Sequence, residues 1–255
     1  MFPLKDNIPT SRFPIVTVTL ILANIAMYLF FQEGFGSERV FEQRVVEYGA
    51  IPYEITNPGQ QCEGTAGDEL LCEGQDGVRG QADEQASTWV TLFTSMFMHG
   101  GLLHIGGNML YLWIFGNNIE DSMGRLRFLA FYLLGGLVAL GAQTAISPDA
   151  AVPTIGASGA VAAVLGGYLL LYPRARVTTL VIVIFFITFI QLPALLVLGF
   201  WFLLQLYEGL GPQPGGGGVA YFAHIGGFVF GLVLIKAFAN RRKGDYLARS
   251  RFPVY

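Results

Sequence analysis

A chain of 255 residues with 53% apolar and 13% charged side chains carries about half the charge of an ordinary soluble domain. Mean hydropathy is +0.52. Too little polar surface remains to face water all round, which excludes a soluble enzyme or a disordered segment and points to a polytopic membrane protein. The net charge of −3 includes no basic domain, so nucleic acid is not expected as a partner.

A bilayer core about 30 Å thick needs roughly 20 apolar residues per upright helix. The first such segment is Phe13 to Phe31, ending before Gln32 and Glu33. It reads as a signal anchor, since no cleavable signal peptide precedes it and Asp6 does not suit a basic transit peptide. The second is expected from Thr91 to Phe115, because no charge falls between Trp89 and Glu120. The third is Leu126 to Ile146, and a short fourth runs from Ser158 to Tyr172, closed by Pro173 and Arg174. Val177 to Tyr207 is uncharged over 31 residues, about 46 Å as a helix and too long for one crossing. Pro193 is expected to divide it into an apolar lead-in ending at Leu192 and a fifth span, Pro193 to Tyr207. After a glycine link at Gly215 to Gly218, Ala220 to Asn240 forms the sixth.

Charge placement supports this count. With the N-terminus cytoplasmic, Lys5, Arg12, Arg125, Arg127, Arg174, Arg176, Lys236 and the C-terminal cluster put 12 of the 15 basic residues inside. The loop from Gln32 to Val90 holds 12 of the 18 acids and only Arg39, Arg44 and Arg79, which places it outside. The expected organisation is a cytoplasmic segment 1–12, a six-helix all-α membrane domain 13–240 and a basic cytoplasmic tail 241–255. The expected location is the plasma (inner) membrane.

In the outer loop, Glu38 to Gly49 puts Phe41, Val45 and Tyr48 on one helical face, suited to the membrane interface or to packing on the bundle. Residues 52–86 are rich in Gly, Gln and acids and read as a mobile insertion. Its Cys62 and Cys72 favour a disulfide, with metal binding the weaker alternative for so poor a ligand set.

Polar side chains inside a bilayer need partners or a purpose. His104 and Asn108 lie four apart on one face of the second span. The fourth opens with Gly156-Ala157-Ser158-Gly159, and the sixth carries Ala223-His224-Ile225-Gly226-Gly227. Small residues at Ser158, Ala162 and Gly166, and at His224, Gly227 and Gly231, let these two helices approach closely. That packing would set the Ser158 hydroxyl beside the His224 imidazole, at the depth of His104. Serine needs a base to take its proton, and histidine is the usual one. With no acid nearby in the spans, the candidate set is a Ser158–His224 dyad. The Ser158 backbone N–H, His104 and Asn108 are candidate oxyanion donors. Separately, each motif has a structural explanation, and His99, Gly135 and Gly136 are assigned to structure. Their conjunction at one depth favours catalysis.

These residues resemble the rhomboid family of intramembrane serine proteases. The HxxxN element at His104 and Asn108, GxSG at Gly156 to Gly159 and AHxxG at Ala223 to Gly227 carry the resemblance. Glu120, Gly124, Arg127 and Phe128 also match the pattern after the second helix. The resemblance implies Ser158 as nucleophile, His224 as general base, and His104 with Asn108 in the oxyanion hole. It further implies a helical bundle with a water-filled cavity open to the outside, no cofactor or metal, and single-pass transmembrane proteins as substrates. The sequence departs at Ala162, where many members carry a tyrosine stacked on the catalytic histidine, and it lacks the Trp-Arg pair of the first outer loop. A non-catalytic membrane protein, either a client binder or a small transporter, is the alternative class.

Overall fold

The computed structural model describes residues 2–32, 38–64, 70–75, 78, 82, 85–183, 186–211 and 218–240. The basic tail and most of the glycine link lie outside them. Strand β1 (Phe2–Asp6) precedes helix α1 (Ile15–Ala26), which continues through π-helical turns at Met27–Gln32. Next come α2 (Glu38–Tyr48), α3 (Pro52–Thr56) and the hairpin β2 (Cys62–Gly64) and β3 (Leu70–Cys72). Helix α4 (Thr88–Thr94) ends in a 3-10 turn, and α5 (Leu102–Tyr111) runs through π-helical turns at Leu112–Gly116 into α6 (Asn117–Met123). The chain then forms α7 (Arg125–Ile146), α8 (Ser158–Leu171), β4 (Arg176–Val183), β5 (Phe186–Pro193), α9 (Ala194–Leu210) and α10 (Tyr221–Phe238).

Among the described residues, Ile15–Gln32, Arg125–Ile146 and Tyr221–Phe238 are long and apolar enough to cross a membrane, while Ser158–Leu171 and Ala194–Leu210 are shorter apolar helices. These five match the expected first, third, sixth, fourth and fifth segments closely. The second does not. Its chain breaks at His99-Gly100-Gly101, where Gly101 has φ +154°, so Thr88–Phe97 is a separate short element. The long helix starts at Leu102 and continues to Met123, past the expected end at Phe115. Polar residues beyond Phe115 can be buried there because the N-terminal segment supplies their partners. Glu120 accepts from the Thr17 N–H and Oγ1, both 2.8 Å, and from the Val16 N–H at 3.1 Å. This carboxylate thereby satisfies free N–H groups at the start of α1.

An all-α fold is corrected as well. The apolar lead-in before Pro193 is the antiparallel hairpin β4–β5, joined by β1 into a sheet of order β1-β4-β5. Its β-branched run, Val177-Thr178-Thr179 and Val181-Ile182-Val183, suits a pleated strand better than a helix. The acidic insertion is also structured in its described part. Cys62 and Cys72 face each other across β2–β3, are disulfide-bonded, and pack buried with Ile51 and Tyr53. Glu54 is buried and accepts from the Cys62 N–H at 2.9 Å; burial pushes its carboxyl above the usual range.

Helix α8 occupies the centre, with every residue from Gly159 to Tyr168 buried. A helix apolar on all sides fits that position. Its approach to α10 is close: a β-carbon on Gly227, Gly231 or Gly166 would strike the carbonyl of Gly159, Ala163 or Phe228 respectively. The small-residue faces therefore do meet, with Gly159, Ala163 and Gly166 forming the α8 side.

Contacts at the two ends of the bundle define how the chain runs. At one end, β1 pairs with β4, Asn240 N–H donates to Ser122 O, and Ala194 N–H donates to Ala175 O. Asp6 is buried there and accepts from Asn118 Nδ2 at 2.6 Å and Tyr168 OH at 2.5 Å. Burial raises its pKa to about 6, against the opposing effect of the Tyr168 hydroxyl. At the other end, the His99 backbone exchanges two hydrogen bonds with the Gln32 amide, at 2.6 and 2.8 Å, and Ala50 bridges to Thr154.

Candidate active site

Ser158 is the first residue of α8, so no carbonyl of its own helix accepts its backbone N–H, which sits at the positive end of the helix dipole. His224 lies in the first turn of α10. The glycine contacts between α8 and α10 bring these two starts together, with His224 Nε2 2.8 Å from Ser158 Oγ.

His104 stands in the first turn of α5, and its Nδ1 accepts from the Gly100 N–H at 3.2 Å. That bond leaves Nε2 as the protonated nitrogen of a neutral ring. Gly156, at φ +121°, lies against the ring. The point where a Gly156 side chain would begin is 2.8 Å from His104 Nε2 and 3.5 Å from Ser158 Oγ. Glycine thus leaves open the space between an N–H donor and the hydroxyl. One turn further along α5, Asn108 is buried, and its Nδ2 has no hydrogen-bond partner among the described residues. A buried amide donor without an acceptor is costly, and this one is available to a further partner.

His99, assigned to structure on the sequence, holds the loop before Ser158. Its Nε2 accepts from the Ala157 N–H at 3.5 Å, its ring meets His104 edge-on at 5.1 Å, and Gly156 N–H donates to Ser95 O at 2.8 Å. The GxSG turn is therefore fixed from below by the segment between α4 and α5.

Two residues of this region escaped the sequence reading. Gln205 of α9 is buried, with Oε1 2.7 Å from His224 Nδ1 and Nε2 3.3 Å from Trp201 O. Gln143 of α7 accepts from the Ala223 N–H at 3.3 Å, satisfying a free donor at the start of α10. Both were visible as lone amides in apolar helices, but nothing local named their partners. Ala162 is buried beside Gly227; among the described residues the rings beside His224 are Trp201, with centroids 5.8 Å apart, and Tyr221, edge-on at 6.5 Å. A recess of about 510 Å³ lined by Arg12, Glu120 and Arg125 lies at the opposite end of the bundle and has no part in this arrangement.

The fold and these contacts define an integral membrane protein with a serine and an imidazole in hydrogen-bond contact among its helices. The family model for the Rhomboid domain matches residues 86–241, and the chain belongs to the rhomboid family. It is 32% identical over 184 residues to RHOMBOID-like protein 4 of Arabidopsis thaliana, covering 64% of this chain and 40% of that protein. Against Rhomboid protein 1, mitochondrial, of Saccharomyces cerevisiae it is 28% identical over 174 residues, 64% of this chain and 47% of that protein. Rhomboid protease GluP of Bacillus subtilis is 38% identical over 81 residues, 32% of this chain and 15% of that protein. The chain thus spans less than half the length of these relatives.

Proposed function

We propose that this protein is an intramembrane serine endopeptidase that cleaves peptide bonds in or near the transmembrane segments of single-pass membrane proteins. The observation that carries the reading is the 2.8 Å contact between His224 Nε2 and Ser158 Oγ. Ser158 Oγ attacks the scissile carbonyl carbon while His224 Nε2 takes the hydroxyl proton. The carbonyl oxygen becomes an oxyanion, received by the Ser158 backbone N–H, His104 Nε2–H and Asn108 Nδ2. His224 then gives its proton to the leaving amine, and the acyl-enzyme forms. Water, deprotonated by the same imidazole, releases the second product and restores the serine. No cofactor or metal enters this sequence.

The same reading makes 13–240 one membrane domain of six crossings, with α5 and α6 together as the second. The contacts at the two bundle ends support alternating passes. The bias of 12 of 15 basic residues toward one side supports cytoplasmic termini, 1–12 and 241–255, in the plasma (inner) membrane. Ser158, His224 and His104 then sit near the outer ends of their helices. The protease named among the relatives supports the reaction class. The test is cleavage of a reporter transmembrane segment by purified protein in liposomes. Wild type should cut and Ser158→Ala should not. Equal cutting by both would remove the serine mechanism, and no cutting by either would favour a client-binding protein.

A further inference from the structure

We propose that Gln205 is a positioning residue that locks His224 in the one neutral tautomer able to take the proton of Ser158. The inference rests on the Ser158–His224 reading above and extends it to a third side chain. A carbonyl oxygen only accepts, so the Gln205 atom facing Trp201 O at 3.3 Å is the amide nitrogen. The atom facing His224 Nδ1 at 2.7 Å is therefore the amide oxygen, which also only accepts. Nδ1 must then carry the ring proton. Nε2 is left bare, and across 2.8 Å it can only receive the hydrogen of Ser158 Oγ. Donation thus runs in one direction, from serine to imidazole and from imidazole to Gln205, with the Gln205 amide anchored on the α9 backbone.

The opposite tautomer would place an N–H against the serine and leave Nδ1 facing the Gln205 oxygen, lone pair against lone pair. Gln205 makes that state unfavourable without bringing a charge into the membrane. The carboxylate of a Ser-His-Asp triad orients its histidine in the same sense but also stabilises the imidazolium electrostatically. A neutral amide provides orientation without that charge. Gln205 and the Trp201 ring, both on α9, together hold the imidazole at a site where position 162 offers only a methyl group.

The experiment uses the full chain in liposomes with a reporter substrate, comparing wild type, Gln205→Leu and Gln205→Glu from pH 5 to 9. Both substitutions roughly keep the side-chain volume. Leu removes the acceptor, and Glu restores it with a charge. Among the described residues, the other titratable groups facing His224 are His104 of α5 and Tyr221 of its own helix, and both stay constant in all three proteins. Gln205→Leu should lose about tenfold in kcat, with KM little changed. Gln205→Glu should recover part of that loss, since it keeps the acceptor for Nδ1 but has no N–H to donate to Trp201 O. Its acid limb in kcat/KM should move to higher pH by about one unit, because a carboxylate at Nδ1 favours the protonated ring.

A merely structural link between α9 and α10 would not move the acid limb. Wild-type kcat in Gln205→Leu, or an unshifted limb in Gln205→Glu, overturns the inference. If Gln205→Leu does not fold, the profile of Gln205→Glu decides alone. Fluorophosphonate labelling of wild type separates the two levels of the account. Labelling at Ser158 with unaffected Gln205 variants sinks only this inference, whereas no labelling of Ser158 sinks the reading beneath it.

Discussion

Gly227→Ala places one methyl group in the close α8–α10 seam, one turn along α10 from His224. A β-carbon there would overlap the Gly159 carbonyl oxygen, with the carbonyl carbon at 3.1 Å and Ala162 Cβ at 3.3 Å. The obstacle is helix backbone, which cannot rotate away. Non-bonded atoms settle about 3.5 Å apart, so α10 must withdraw from α8 by about 1 Å. Applied at His224, that step would stretch the 2.8 Å contact to Ser158 Oγ beyond hydrogen-bond reach. Overpacking of this size costs about 1–3 kcal/mol of stability. A displacement of about 1 Å at reacting groups can cost about 100-fold in rate. Gly227→Ala should therefore remain folded with a lowered thermal midpoint and lose about 100-fold in cleavage rate per folded molecule. Gly141→Ala is the control, since its β-carbon would meet nothing within 4 Å. Reporter cleavage and thermal unfolding on the same preparations provide the comparison. A Gly227→Ala protein with wild-type rate and midpoint would refute the close approach and the geometry built on it.

Asn108→Ala should lower kcat about 10- to 100-fold with little change in KM, because its donor is engaged only when the oxyanion forms. Its thermal midpoint should not fall, since the buried Nδ2 has no partner to lose among the described residues; a lower midpoint with unchanged kcat per folded molecule would make it structural. Asp6 holds a proton in the folded state that the unfolded chain releases above its ordinary pKa of 3.8, so its contribution is complete below that pH and lost as pH rises through about 6. Thermal midpoints of Asp6→Asn should accordingly fall less than those of wild type between pH 4 and 7.5, and parallel curves would contradict the burial argument. In a Cys62→Ser, Cys72→Ser protein, a membrane-impermeant maleimide should label Glu63→Cys, at an exposed position of the same hairpin, in right-side-out vesicles and not in inverted ones; the reverse pattern would invert the proposed topology.

Most helices could be read in the sequence because charge is scarce and marks where apolar segments end. That signal failed where a distant segment neutralised a polar group. Glu120 and Asn118 looked like the outside of the second helix, yet their partners are Val16, Thr17 and Asp6, more than 100 positions away. The β4–β5 hairpin was hidden for another reason. Hydropathy does not separate a strand from a helix, and only the β-branched composition of Val177 to Val183 carried the difference. The facing small-residue stripes were legible from spacing, but their register on α8 depends on how two helices cross. Ser158, His224, His104 and Asn108 stood out because each is polar in an apolar stretch. Gln205 satisfied the same criterion and was missed, since no motif surrounds it and its partner lies on another helix.

Reaction with a fluorophosphonate probe reports whether His224 activates Ser158. Such probes form a stable bond with a serine whose proton a base can take. Purified wild type should carry one adduct, mapped by mass spectrometry to the peptide containing Ser158. Ser158→Ala and His224→Ala, shown to be folded, should carry none. An adduct at another residue, or equal labelling of His224→Ala, would contradict the account.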